Sequence, residues 1–242
     1  MSQKTHPARH GPACALWLAA AGCIAAAPVA FGQHGHLNAG AVGQNQSDRL
    51  QFANGTDFAA SSGYVKTLSY ADTGLYSGFY EGGITLTALP TSPANGGPVP
   101  GASAPGSFLM VGVVSVDGPL GGSFGLWEEG ATTPTFSFDS GFAAAVPSGL
   151  LALSDAGNGA GAAGGDPFGH LHGRRFTATE PGDYTVGFKL YDVSANGTGG
   201  GPIHTPSETL EIHFSAIPEP AIPSLLGLGA LALALRARRR SH

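Results

Sequence analysis

The feature that most constrains this fold is a strict alternation of apolar and polar residues. Between positions 184 and 190, the large apolar side chains are Tyr184, Val186, Phe188 and Leu190, one at every second position. This period places all four on one face of a β-strand, whereas a helix requires apolar residues three and four apart. The pattern recurs between Gly, Pro, Asn and Asp residues, and we find no convincing amphipathic helix between positions 33 and 217. The sequence therefore predicts an all-β domain.

Eight segments carry this strand pattern. They are residues 64–70, 78–89, 108–116, 123–127, 135–138, 170–178, 184–193 and 209–214. A turn signal, Glu180-Pro181-Gly182-Asp183, follows the sixth segment, so we expect residues 170–193 to form a hairpin. Eight or more strands with one buried face predict a single β-sandwich or jelly-roll-like domain.

Two long segments interrupt the strands. Residues 90–106 are rich in Pro, Gly, Ser and Ala, and residues 155–169 are rich in Gly and Ala. Because neither composition buries much apolar surface, we expect both loops to be mobile. The regions on either side of these loops do not differ in composition, so residues 33–217 are interpreted as one domain.

The first 32 residues have the composition of a secretory signal peptide. A basic start at Lys4 and Arg9 precedes an apolar stretch at 15–27 and small residues at positions 30 and 32. We expect a signal peptidase to cleave residues 1–32 before Gln33, with a retained membrane helix as the alternative. Both cysteines of the chain lie in this segment. The exported domain therefore depends on its core, without disulfides.

The last part of the chain, residues 218–242, combines a short motif, an apolar run and a basic end. The motif is Pro218-Glu219-Pro220, and the apolar run covers 221–235. The basic residues are Arg236, Arg238, Arg239 and Arg240. Prolines prevent an earlier helix, so a hydrophobic helix is predicted at about 223–235 with its basic end in the cytoplasm. The run is short for a bilayer and is interpreted as a transient anchor, a buried core helix being the alternative.

In this order and position, the three features closely resemble the PEP-CTERM sorting signal of Gram-negative bacteria. The resemblance implies recognition by an exosortase and cleavage near Pro218 to Pro220. It also implies passage through the inner membrane to the cell surface or an exopolysaccharide matrix. It implies nothing about the activity of residues 33–217.

Charge narrows the class of partner. Residues 33–217 contain 15 Asp and Glu against 5 Lys and Arg, which gives 5 − 15 = −10. Such a domain does not suit the phosphate backbone of a nucleic acid. A divalent cation is compatible with this charge, and so is a simple need for solubility.

Four histidines of this region occur in two His-x-His pairs, His34 with His36 and His170 with His172. In an extended chain, residues two apart face the same way, so one pair offers two imidazoles to one ion. Two pairs would complete a tetrahedral shell, and so would one pair with His204 or His213 and an acidic residue. Imidazole suits zinc or copper. The alternative is that these are surface or hydrogen-bonding histidines without a metal.

Two short motifs carry a second resemblance. The stretches around His36 (35–41 and 48–52) and around His170 and His172 (168–176) look like a family of PEP-CTERM proteins repressed by the zinc-uptake regulator. The resemblance implies production under zinc limitation and a role in capturing or sparing zinc at the surface. His34, His36, His170 and His172 are the matching positions.

Enzyme signatures are scarce in this sequence. There is no nucleophile elbow, phosphate-binding glycine loop or His-Glu-x-x-His helix, and Glu128 and Glu129 are neighbours that would face opposite sides of a strand. Three hypotheses follow: a non-enzymatic surface protein that binds zinc, a structural or adhesive matrix protein without a metal, and, more distantly, an envelope hydrolase.

Overall fold

The computed structural model describes residues 35–128, 130–171 and 175–218, which form fourteen β-strands joined by loops and short 3-10 turns. Within these ranges there is no α-helix, and no described helix has the length and apolar character needed to cross a membrane. The fold is therefore all-β, as the alternation predicts. The expected signal peptide (1–32) and hydrophobic helix (223–235) lie outside the described residues.

The strands are β1 (His36–Ala41), β2 (Leu50–Phe52), β3 (Val65–Tyr70), β4 (Tyr80–Gly82), β5 (Thr85–Ala88), β6 (Leu109–Asp117), β7 (Ser123–Trp127), β8 (Phe136–Asp139), β9 (Phe142–Ala143), β10 (Leu150–Ala152), β11 (Gly169–Leu171), β12 (Arg175–Ala178), β13 (Gly182–Asp192) and β14 (Leu210–Ile217).

Two sheets are built from these strands. The small sheet has four strands in the order β11-β5-β1-β2, with β1 and β5 parallel. The large sheet has ten strands in the order β10-β6-β13-β14-β3-β4-β12-β7-β8, and β9 pairs with β6 beside β10. Its one parallel pair is β14 with β3. All described residues lie in one compact unit.

The two ends of the large sheet come together. Strand β8 turns through Ser140 and Gly141 into β9, although these strands stand at opposite ends of the strand order. The rings of Phe138 and Phe142 pack across this junction with their centroids 4.8 Å apart. The large sheet is therefore nearly closed.

Aromatic side chains fill the interior of the large sheet. Phe124 packs on Phe176 and Phe214 at centroid distances of 5.8 and 4.8 Å, and Phe188 lies 5.7 Å from Phe176. Buried residues of the small sheet, among them Leu37, join the same hydrophobic cluster. Each such side chain contributes about 1.5–3 kcal/mol when it leaves water. A core of this kind agrees with a domain that has no cysteine between residues 33 and 217.

Two predicted strands are each divided between the two sheets. The segment 78–89 contains β4 of the large sheet and β5 of the small one, and the segment 170–178 contains β11 of the small sheet and β12 of the large one. Buried positions continue at every second residue from Tyr80 through Gly82 and Ile84 to Leu86. The alternation is therefore preserved while the chain changes sheets.

The predicted hairpin at 170–193 is wrong. Strand β12 pairs with β4 and β7, whereas β13 pairs with β6 and β14. The residues between them do reverse the chain, and the Tyr184 hydroxyl donates a hydrogen bond to the Glu180 carbonyl at 3.0 Å. However, Phe176 and Phe188 meet across the core. The connection is an arch because both edges of each strand have other partners.

The two loops that composition predicts to be mobile are joined through one buried carboxylate. Asp166 is 6 % exposed and accepts hydrogen bonds from the Thr91 and Ser92 amides at 2.8 and 3.1 Å. It also accepts from the Asn95 side-chain amide at 2.8 Å and from the Phe168 amide at 3.2 Å. These hydrogen bonds connect the two loops without a large apolar surface, and composition alone does not predict such a connection.

Candidate metal centre

Two of the candidate histidines, His36 and His170, lie on the outward face of the small sheet. Along β1, Leu37 and Ala39 point into the core, whereas His36 is exposed. On β11, Leu171 is buried and its neighbour His170 is half-buried. The period-two rule thus directs both histidines away from the core.

His36 and His170 meet on either side of Thr87. Their ring centroids are 4.5 Å apart in an edge-to-face arrangement. The Thr87 hydroxyl oxygen lies 3.1 Å from His36 Nδ1 and 3.4 Å from His170 Nδ1. Residues more than 130 positions apart in the sequence thus form one cluster, which we call the His36–Thr87–His170 cluster.

Strand order explains this meeting. β5 lies between β1 and β11, and Thr87 stands directly opposite Asn38 on one side and His170 on the other. His36 is two residues before Asn38, so its ring has to extend along the sheet to reach Thr87. Thr87 itself is 7 % exposed and therefore lies at the floor of the cluster.

A single hydroxyl between two imidazoles constrains their protonation. Thr87 has one hydrogen to donate, so only one Nδ1 atom can accept it while the other Nδ1–H donates to the hydroxyl oxygen. In the histidine whose Nδ1 carries the proton, Nε2 has the lone pair. This is the arrangement by which a hydrogen bond orients a metal-binding imidazole.

The backbone under His36 is fixed by Asn54. The Asn54 side-chain oxygen accepts from the Asn38 amide at 2.8 Å, and its nitrogen donates to the His36 carbonyl at 2.8 Å. In this way, a side chain continues the hydrogen bonding of β2 beyond the end of that strand. The position of the His36 ring is thus supported from both neighbouring strands.

His204 is a structural residue of the interior. It is 1 % exposed, its Nε2 accepts from the Ala104 amide at 2.9 Å, and its Nδ1 donates to the Asp48 carbonyl at 2.8 Å. These two bonds use both ring nitrogens and define the neutral tautomer. His204 would have to break one of them before it could bind a metal.

The other candidate ligands lie apart from the cluster or outside the described residues. His213 is on β14 of the large sheet, between Thr185 and Val65. His34 and His172 lie outside the described residues. Within the described ranges, no group of three or more His, Cys, Asp or Glu side chains is arranged to hold a metal.

Sequence reasoning did not select Thr87 or Asn54. A Thr-x-Thr strand is ordinary, and only the strand order reveals that Thr87 lies between two histidines. Of the expected sorting motif, Pro218 is described and exposed just after β14. Glu219, Pro220 and the four arginines lie outside the described residues.

Comparisons of this chain with protein-family models, with curated proteins and with solved structures give no match.

Proposed function

We propose that this chain is an exported, non-enzymatic surface protein that binds zinc through its His-x-His pairs. The observation that carries the proposal is the contact between His36 and His170, one from each pair, at a centroid distance of 4.5 Å. The sequence alone left open whether the pairs approach each other. Strand order now gives a reason why they should.

The remaining ligands of the proposed site are His34 and His172. Each stands two positions along the chain from a histidine of the cluster, the spacing that keeps side chains on one face of an extended strand. Four imidazoles would satisfy the tetrahedral preference of zinc. Thr87 would hold one of the inner rings in the tautomer that binds through Nε2.

We further propose that the two sheets constitute a single β-sandwich or jelly-roll-like domain spanning residues 33–217. The shared hydrophobic cluster supports this architecture, because buried residues of both sheets contribute to it. The near closure of the large sheet favours a strongly curved variant.

The proposed location follows from the two ends of the sequence. A signal peptidase would release residues 33 onward, the segment 218–242 would hold the chain in the inner membrane, and an exosortase would then pass it to the cell surface or matrix. The arginine cluster after an apolar run supports this orientation.

A structural or adhesive matrix protein without a metal is the second candidate. It is favoured by the hydrogen bonds of His36 and His170 to Thr87, which already give both rings a structural role. In this case, the exopolysaccharide would be the partner, and the two histidines would serve to align β1, β5 and β11.

Calorimetry with zinc distinguishes these candidates. For untagged residues 33–217, we expect a dissociation constant in the micromolar range or below, which corresponds to about 8 kcal/mol or more of binding free energy. His36→Ala and His170→Ala should each weaken binding at least about tenfold, a loss of ~1.4 kcal/mol. His213→Ala is the matched control, because His213 lies on the other sheet. Binding no tighter than millimolar in the parent protein would favour the matrix candidate.

A further inference from the structure

Where several of its strands end, the large sheet exposes apolar side chains that do not belong to the core. Ile217, the last residue of β14, is half-exposed, and so is Leu75 in the connection between β3 and β4. Leu120, in the connection between β6 and β7, is fully exposed. We use the name exit edge for this end of the large sheet, with the strand ends and connecting loops that carry Leu75, Leu120 and Ile217.

Strand register places all three at the same edge. The parallel strands β14 and β3 end together, with Ile217 opposite Ser69, and the chain continues from β3 into the 71–79 connection that carries Leu75. β13 begins at this edge with Gly182 opposite Ala216. A β-carbon on Gly182 would lie 2.9 Å from Pro119, the neighbour of Leu120.

The exit edge is also where the chain leaves the domain toward its apolar segment. Only residues 218–220 separate Ile217 from the apolar run at 221–235. An extended chain covers at most about 3.6 Å per residue, so these residues span roughly 10 Å. A domain tethered by that run would therefore have its exit edge within reach of the lipid headgroups.

The charges of the exit edge argue against electrostatic attraction to an anionic surface. Its loops and strand ends carry acidic residues, namely Asp72, Asp117, Asp139, Glu180 and Asp183. Of the basic residues on the strands that border it, Lys66 stands opposite Phe214 and Lys189 opposite Gly112, both away from the strand ends. Contact with lipid would therefore depend on the apolar side chains.

We propose that the exit edge is a lipid-contacting surface, in which Leu75, Leu120 and Ile217 enter the membrane interface while residues 221–235 hold the chain in the bilayer. The inference uses the anchoring part of the proposed function but not the zinc site. The tether supplies a high local concentration of lipid, so three apolar side chains suffice to orient the domain. The strands then run away from the membrane, and the exit edge faces the membrane.

Site-specific fluorescence on the full chain tests this surface. In a background with Cys14→Ser and Cys23→Ser, a polarity-sensitive label is placed on Thr73→Cys, next to Leu75 at the exit edge. The matched control is Val193→Cys, because Val193 is half-exposed and follows β13 at its opposite end. Ten residue steps from Gly182 to Asp192 separate these ends by about 33 Å. The vesicles contain phosphatidylcholine, with a nitroxide quencher on the acyl chains.

The expected result is a blue-shifted emission and about threefold stronger quenching at position 73 than at 193, because interfacial side chains reach ~5–10 Å into the boundary region. Leu75→Ser with Leu120→Ser should reduce the quenching at 73 to the level at 193. Val42→Ser, which alters an exposed apolar residue of the small-sheet region, should leave it unchanged. Phosphatidylglycerol should weaken the quenching at 73 because the edge is acidic.

The outcomes separate the two proposals. If the chain sediments with vesicles while positions 73 and 193 are quenched equally, the proposal that the exit edge contacts lipid is wrong. The proposal that residues 221–235 hold the chain in the bilayer is then retained. If the chain does not sediment with vesicles, the anchor fails and the edge fails with it. Quenching at 73 that increases with phosphatidylglycerol and disappears in high salt would overturn the apolar mechanism.

Discussion

Asp166, His204 and Thr87 are polar residues to which the fold gives three different roles. Asp166 joins two loops by accepting hydrogen bonds from backbone amides. His204 connects the backbone carbonyl of one loop to the backbone amide of another in the interior. Thr87 contacts both imidazoles of the His36–Thr87–His170 cluster through its hydroxyl group. Only the last role brings chemistry to the surface. All three residues are buried, so the groups that surround each one, more than its exposure, determine its role.

Replacing Asp166 by Asn should destabilise the domain by about 2–3 kcal/mol. The carboxylate accepts hydrogen bonds through both oxygens, whereas the amide of Asn would turn an NH₂ group toward some of the same N–H donors. Asp155→Asn is the matched control in the same loop, since Asp155 is exposed and accepts from only the Gly157 amide and, weakly, Asn158. The control should cost less than about 1 kcal/mol. Urea denaturation measures the stability of both variants, and equal losses would contradict the role of Asp166 in joining the two loops.

The same carboxylate predicts acid sensitivity. Burial by itself raises the pKa of Asp166, but hydrogen bonds from Thr91, Asn95, Ser92 and Phe168 outweigh this effect and hold the pKa below its ordinary value. The unfolded chain therefore binds the proton first as pH falls. The associated stability is complete above the unfolded pKa of about 3.9 and disappears as pH falls through the lower folded value.

Denaturation curves between pH 7 and pH 2 should show this loss in the parent protein. In Asp166→Asn the decline below about pH 4 should be smaller, because the group that changes protonation is absent. A decline of equal size in both proteins would assign the acid sensitivity to other carboxylates.

His204→Ala should destabilise the domain by about 3 kcal/mol, since it opens a cavity and leaves the Ala104 amide and the Asp48 carbonyl without their partner. His213→Ala, at a half-exposed strand position, should cost less than about 1 kcal/mol. At temperatures where His204→Ala remains folded, zinc affinity should be unchanged. A large loss of affinity would make His204 a ligand.

At the scale of elements, alternation predicts strands well and their partners poorly. The segment 123–127 is β7 with the predicted bounds, and every other predicted segment overlaps a strand. Strands β1, β2, β9 and β10 were not predicted. Period two reports which side chains are buried, and burial is the same whether a strand continues in one sheet or changes to the other. The divided segments and the arch between β12 and β13 therefore had no signal in the pattern.

The candidate site shows the same limit. Spacing identified His36 and His170 separately, because residues two apart share a face. Their meeting depends on β5 lying between β1 and β11, which is a long-range pairing. Thr87 has no sequence signal at all, since its role depends on two residues more than 50 positions away.

Gly40 provides a test of packing between an element and a loop. A β-carbon at this position of β1 would lie 1.9 Å from the Gly101 carbonyl oxygen, which accepts a hydrogen bond from the Ala41 amide. Gly40→Ala must therefore displace the 97–104 loop or the strand, at a cost of about 3 kcal/mol. Gly201→Ala is the control because a β-carbon there meets nothing within 4 Å. Thermal denaturation that affects both variants equally would contradict this contact.

At the scale of the whole molecule, two surfaces are assigned separate tasks. The outward face of the small sheet presents the His36–Thr87–His170 cluster, whereas the exit edge of the large sheet adjoins the tether. The net charge of −10 over residues 33–217 attracts divalent cations over a distance and repels anionic surfaces. We thus propose a cation site on one surface of the domain and apolar membrane contacts at the other.

Zinc content with X-ray absorption at the zinc edge tests the central claim most directly. Untagged residues 33–217 are saturated with zinc and freed of weakly bound metal by gel filtration. We predict about one zinc per chain with imidazole ligands at ~2.0–2.1 Å. The double variant His36→Ala, His170→Ala should retain almost none. A parent protein without retained zinc, or a double variant with as much zinc as the parent, would contradict the account.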